Sequence, residues 1–153
     1  MTRLPEPLTL FVDRSLGGKK VAAALRAAGV AVEVHDDHYP NNKPDAEWLD
    51  DVGRKGWVVL TKDERLQHRP AEFVALFEGG TAVFVLTTSD LTGDAMAKVW
   101  VSAIPAMRAL VADTDIPFIA RVDAKATVRL FLNDKGLEVR ARGMKARLPP
   151  KSG

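Results

Sequence analysis

The sequence predicts an α/β domain, a three-layer sandwich around a mainly parallel central sheet. Three observations carry that expectation. Short apolar runs at 8–12, 30–34, 57–60 and 81–86 alternate with stretches of helical period. Glycines close the helical stretches, at Gly29, Gly56 and Gly79-Gly80. The run Trp57-Val58-Val59-Leu60 is apolar at both parities, as a strand covered on both faces must be.

In chain order, Leu8–Val12 forms the first strand and ends on Asp13, with Gly17-Gly18 in the turn beyond it. Val21, Ala24, Leu25 and Ala28 share one face of a helix that starts near Lys19. Val30–Val34 is a second short strand, and the polar 35–43 with Pro40 and Asn41-Asn42 is a loop. Asp45 after Pro44 is placed to cap a second helix that buries Trp48, Leu49 and Val52. The third strand closes on Thr61-Lys62-Asp63. A helix over about 70–77 follows, then a strand over 81–86 and a long helix over about 94–112, kinked or offset at Pro105. Ile116–Val122 and Thr127–Leu132 are a strand and its hairpin partner at the sheet edge, and from about Gly143 the chain reads as a basic, partly disordered tail. The expected division is a domain over 1–122 and, over 123–153, the edge strand or hairpin with its tail.

At 153 residues, 46% hydrophobic and 27% charged, the chain has the balance of a globular domain with one core. It contains no cysteine, which excludes disulfides and thiolate metal sites and makes a cytoplasmic location the natural expectation. No leader pattern is legible at the N-terminus, and no stretch reads as long enough to span a bilayer, so no membrane role is expected. The net charge of +2 conceals an asymmetry: residues 117–153 carry nine Lys/Arg against three acids. A basic C-terminal arm on a mildly acidic body suits an anionic partner, nucleic acid first, although a solvated tail would have the same composition.

Ligands of open parallel sheets bind beyond the C-terminal ends of the strands. Asp13 and Asp63 follow two strands directly, and Asp45 begins the helix leading into the third strand, so all three belong to this edge. Carboxylates brought together repel one another unless a cation intervenes, and hard oxygen donors favour Mg²⁺ or Mn²⁺. Each aspartate also has a structural explanation: ordering of the turn after the first strand for Asp13, helix capping for Asp45, and capping of the segment from Glu64 for Asp63.

The combination Phe11-Val12-Asp13-x-x-Leu16-Gly17, Leu25-Arg26-x-x-Gly29, Asp45-x-x-Trp48-Leu49 and Trp57-Val58-Val59-Leu60-Thr61-Lys62-Asp63 resembles the PIN-like domains of VapC-type toxins. The resemblance covers roughly residues 8–122. It implies a metal-dependent ribonuclease, the toxin half of a toxin–antitoxin pair, with Asp13, Asp45 and Asp63 as the metal-binding acids. RNA is then the substrate, and an antitoxin protein and a homodimer are implied partners. One departure stands out. Related domains often place a further acid two residues after the Thr-x-Asp aspartate, where this chain has Arg65, so a fourth acid would come from Glu47, Glu64, Asp36 or Asp37, or be absent. Arg65 and Lys62 are candidates for binding phosphate, and Asp37 and His38 for touching substrate.

His35-Asp36-Asp37-His38 lacks a third ligand for zinc and reads as a loop. Gly17-Gly18-Lys19-Lys20 departs from the phosphate-loop pattern at both ends. Trp48, Trp57 and Trp100 are spaced as core or half-buried residues, with base stacking by Trp48 the alternative. Glu72 reads as a surface acid. Besides the ribonuclease, two functions remain open: a non-catalytic nucleic-acid-binding module that uses the basic arm, and a phosphoacceptor domain, which would want an acidic pair at the first strand where Asp13 stands alone.

Overall fold

The computed structural model describes residues 3–4, 6–17, 19–88 and 90–148. Six strands and five α-helices follow one another as β1 (Thr9–Val12), α1 (Lys20–Ala27), β2 (Ala31–Val34), α2 (Asp45–Arg54), β3 (Val58–Thr61), α3 (Pro70–Gly79), β4 (Ala82–Leu86), α4 (Gly93–Asp113), β5 (Phe118–Val122), β6 (Val128–Leu132) and α5 (Asp134–Lys145). The strands form one sheet in the order β2-β1-β3-β4-β5-β6. Five are parallel, and β6 pairs antiparallel with β5 at the edge. The expected α/β class and the terminal hairpin are both present.

Alternating strand residues feed two cores. Leu10, Val12, Val58, Leu60, Phe84 and Phe118 face the layer of α1 and α4. Phe11, Val59, Val83 and Ile119 face the layer of α2, α3 and α5. Bulky residues at both parities are what two covered faces require.

Three expectations need correction. The helix α4 runs unbroken through Pro105 and, at 21 residues, is long and apolar enough by length and composition to cross a membrane. Here Met96, Trp100, Ala103, Met107 and Val111 are buried in the first core. The chain over 134–145, anticipated as leading into a loose tail, is helix α5, capped by Asn133 and fixed by buried Leu137 and Ala141. Gly143 lies inside it, and residues 149–153 of the expected tail lie outside the described residues. Trp48 is 3% exposed and packs on Phe11 and His35, so it offers no face to a base.

The layer of α2 and α3 depends on two glycines. A Cβ on Gly53 would stand 2.0 Å from Thr81 Oγ1 and 2.6 Å from the Gly79 carbonyl oxygen. One on Gly79 would stand 2.8 Å from the Asp50 backbone. The helices therefore touch backbone to backbone, and buried Thr81 pins the crossing by donating to the Leu49 carbonyl at 2.8 Å. Gly53→Ala is expected to cost about 2–3 kcal/mol in urea denaturation, because backbone cannot yield as a flexible side chain can.

Candidate active site

The strand order reverses between β1 and β3, and at such a switch point the two outgoing connections leave a crevice at the C-terminal edge. Asp13 follows β1 there, and Asp63 follows β3. Asp13 Oδ2 accepts hydrogen bonds from Ser15 Oγ and Thr61 Oγ1, both at 2.8 Å. Each hydroxyl in turn accepts a backbone N–H, Lys62 to Ser15 and Asp63 to Thr61, both at 3.1 Å. A hydroxyl has one proton, and each spends it on Asp13. Asp13 is thereby held in one orientation, with Thr61 joining it to the backbone of Asp63.

Asp63 caps the 3-10 turn Glu64–His68, its Oδ1 accepting the Arg65 N–H at 3.1 Å. Its Oδ2 accepts from Arg69 Nη1 at 2.8 Å, and the same nitrogen lies 3.4 Å from Glu72 Oε2. Glu72 is in the first turn of α3, with Pro70 opening that helix. Burial raises its carboxyl above the ordinary range; Arg69 opposes the shift, and the charges of Asp45 and Asp63 add to it. Glu72 thus belongs with Asp45 and Asp63, and its designation as a surface acid is corrected. One signal was available: the helix after β3 begins at the same edge as Asp63, so an acid in its first turn lies there too.

Asp45 is not the helix cap; Pro44 holds that position, and Asp45 Oδ1 instead accepts the Trp48 indole N–H at 2.9 Å. Asp45 remains solvent-exposed. Of the other candidate acids, Asp36 pairs weakly with Arg14 at 3.8 Å, while Asp37, Glu47 and Glu64 are exposed. His38 Nε2 donates to Glu33 Oε2 at 2.9 Å, and the ring rests edge-on against Trp57. Lys62 is half-buried beside Asp63, and Arg65 is 80% exposed, its Nε 3.8 Å from Asp63 Oδ1.

Among the described residues, no group of three or more His, Asp or Glu stands arranged to hold a metal ion. The donor chemistry does suit a hard divalent cation: carboxylates and hydroxyls, with no thiolate. Arg69 bridges Asp63 and Glu72 where such a cation would be shared, yet Glu72 is still pushed up.

A doubly covered parallel sheet with Asp13 and Asp63 at its switch point defines an α/β class with acids at the edge where such sheets bind ligands. The family described as PIN like domain matches residues 8–88, and the chain belongs to it. Over 126 residues it is 27% identical to a Mycobacterium tuberculosis (strain ATCC 25618 / H37Rv) protein named "Putative ribonuclease VapC45", covering 80% of this chain and 91% of that one. No solved structure gives a significant match.

Two measurements check the site's construction. Thr61→Val should cost about 1–3 kcal/mol in urea denaturation, since it strips a donor from Asp13 and leaves the Asp63 N–H without its acceptor; Thr61→Ser should recover most of the loss. For Glu72 the sign follows from its raised folded pKa: the proton is held more tightly in the folded state. Its contribution is therefore most favourable below the ordinary value of 4.5 and is lost as pH rises through the folded value. In EDTA at pH 7, Glu72→Gln should melt about 1–3 °C above the parent, with the gap closing as pH falls toward 4.

Proposed function

We propose that this chain is a metal-dependent endoribonuclease of toxin type, hydrolysing RNA phosphodiesters at the edge formed by Asp13, Asp45 and Asp63, with Glu72 as the fourth acid. The observation that carries this is the meeting of acids at one sheet edge: Arg69 Nη1 lies 2.8 Å from Asp63 and 3.4 Å from Glu72, and Thr61 ties the Asp13 carboxylate to the Asp63 backbone. Membership of the PIN-like family and the name of the mycobacterial relative support it.

Asp13, Asp63 and Glu72 are the residues that would hold Mg²⁺ or Mn²⁺, with Asp45 adding charge from α2. When bound, such an ion supplies Lewis acidity toward a phosphoryl oxygen and acidity to an attacking water. The chain's own contribution is positional. Ser15 and Thr61 fix the Asp13 carboxylate, so one oxygen is committed to hydroxyls and the other faces its surroundings. The Arg65 N–H orients Asp63. In this reading Lys62 and Arg65 engage the phosphates flanking the scissile bond, and Asp37 and His38 touch the substrate from the neighbouring turn. Arg69 must release Asp63 or share it when a divalent ion enters. A cognate antitoxin and a homodimer would be the protein partners.

Asp13→Asn and Asp63→Asn should each lower cleavage of a single-stranded RNA, with Mn²⁺ or Mg²⁺ supplied, by roughly 100-fold or more. Titration of the parent with Mn²⁺ in a calorimeter should show binding and a rise in melting temperature, which the variants lose. A parent that neither binds Mn²⁺ nor cuts RNA defeats the proposal. Such a result would favour a non-catalytic RNA-binding module, for which the specific observation is Arg65 standing where related domains often place an acid.

A further inference from the structure

Beyond the family match at 8–88 lies a second charged feature, of opposite sign. On β5 and β6, Arg121 and Arg129 are direct cross-strand partners. Both share strand parity with Ile119 and Phe131, which face the α2, α3 and α5 layer, so the two guanidinium groups emerge on the same side of the sheet. Like charges directly opposite one another on a sheet are destabilising. The Arg121 guanidinium lies 3.6 Å from the centroid of the Phe131 ring, and Arg140 of α5 approaches the same ring at 5.8 Å. Arg140 also reaches Gln67 Oε1 at 3.4 Å.

Among the described residues, neither Arg121 nor Arg140 pairs with a carboxylate. Asp123 is the acid that acts on Arg129, and its Oδ1 is already taken by the N–H groups of Lys125 at 2.9 Å and Thr127 at 3.0 Å. Two arginines thus approach one ring, and one of them, Arg121, faces a third, Arg129, across the strand pair. A small cavity lined by Asp63, Gln67, Arg121 and Phe131 brings Arg121 beside the acidic edge.

We propose that Arg121, Arg129 and Arg140, on β5, β6 and α5, form a strip that holds the single-stranded RNA running away from Asp63. This deepens the ribonuclease proposal and rests on it for the identity of the polyanion. A polyanion fits where an isolated anion does not, because the cations are spread along a strip rather than converging on one point. A single strand fits the strip because successive phosphates can follow it while its bases remain free to turn outward.

The test uses the full chain, a fluorescein-labelled mixed-sequence 20-nucleotide RNA and EDTA throughout, so that binding is read apart from cleavage. For the Arg121→Gln/Arg129→Gln double variant, affinity at low salt should fall about tenfold or more. The slope of log K against log salt should shrink by about 1.4, the value for two single-strand phosphate contacts. Its melting temperature should stay close to the parent's, since relief of a like-charge pair offsets the lost Arg121–Phe131 contact. Arg140→Gln should shrink the slope by about 0.7, providing an independent check should the double variant fold poorly. Arg108→Gln, the same charge change on exposed α4, should leave the slope unchanged.

Unchanged affinity and slope in both strip variants overturn the inference, even where the parent cuts RNA. Loss of a labelled polyglutamate peptide with RNA binding intact would make the occupant an acidic protein segment and overturn it equally. Weakened RNA binding in a protein whose parent cuts nothing upholds the strip and defeats only the ribonuclease.

Discussion

Two hydroxyl protons spent on one carboxylate oxygen set the geometry of this molecule's functional edge. Ser15 lies in the turn after β1 and Thr61 ends β3, so their shared acceptor Asp13 ties together the two strands between which the sheet order reverses. Each hydroxyl spends its one proton on Asp13 and accepts one backbone N–H from the Lys62-Asp63 segment. A lysine at either position could donate to Asp13, but it has no acceptor to return to the backbone N–H. The position of Asp63 is consequently tied to Asp13 through Thr61 as well as set by its own turn, where the Arg65 N–H and Arg69 hold its carboxylate. An ordinary net hydrogen bond contributes about 1 kcal/mol. The larger effect here is the cost of leaving the partly buried acceptor or N–H unmet.

Packing brings the remaining acids to the same place. The backbone contact at Gly53 and Gly79 lets α2 and α3 approach more closely than side chains would allow, and these two helices carry Asp45 and Glu72 in their first turns. Packing and electrostatics oppose one another at this point. The helices bury Glu72 to 17% exposure and set it near two other carboxylates, both of which disfavour its charged form. Arg69 works against that and does not prevail, since the carboxyl remains above its ordinary range. A site meant only for stability would be expected to neutralise its acids or omit one; replacing a strained ionic cluster with apolar side chains is often neutral or stabilising.

The strands were legible in the sequence because residues apolar at both parities have few alternatives to a doubly covered sheet. Asp13 and Asp63 were legible because each follows its strand without an intervening loop. Glu72 was not, since its role depends on the closeness of α2 and α3, which two glycines decide and which no periodicity reports. Asp45 was placed at the correct edge with the wrong structural partner: a cap looks outward from a helix start, whereas the Trp48 indole lies one turn further along the same helix. The helix α5 was missed because only Leu137 and Ala141 are fully buried within it, and its charged remainder has the composition of a tail. For α4 the reverse held. Its apolar content satisfies a bilayer as well as a protein core, and only the sheet and α1 beside it account for that content here.

The two charged regions are separated along the chain as well as in sign. Asp13, Asp45, Asp63 and Glu72 all fall within the segment shared with the PIN-like family, whereas Arg121, Arg129 and Arg140 come after it. The small cavity lined by both Asp63 and Arg121 brings the two within the span of a short ligand. A polyanion confined to the acidic edge would be repelled by it, and one confined to the arginines would never meet the carboxylates. The arrangement makes sense for a ligand that does both at once, anchored by phosphates on the strip while one of its linkages is presented at the carboxylates. Anchoring of this kind draws on counterion release, which is strong at a distance and weak in salt. Placement at the edge depends on short contacts that salt affects little. Capture and placement therefore rest on different physics, and substitution in one region should leave the other intact.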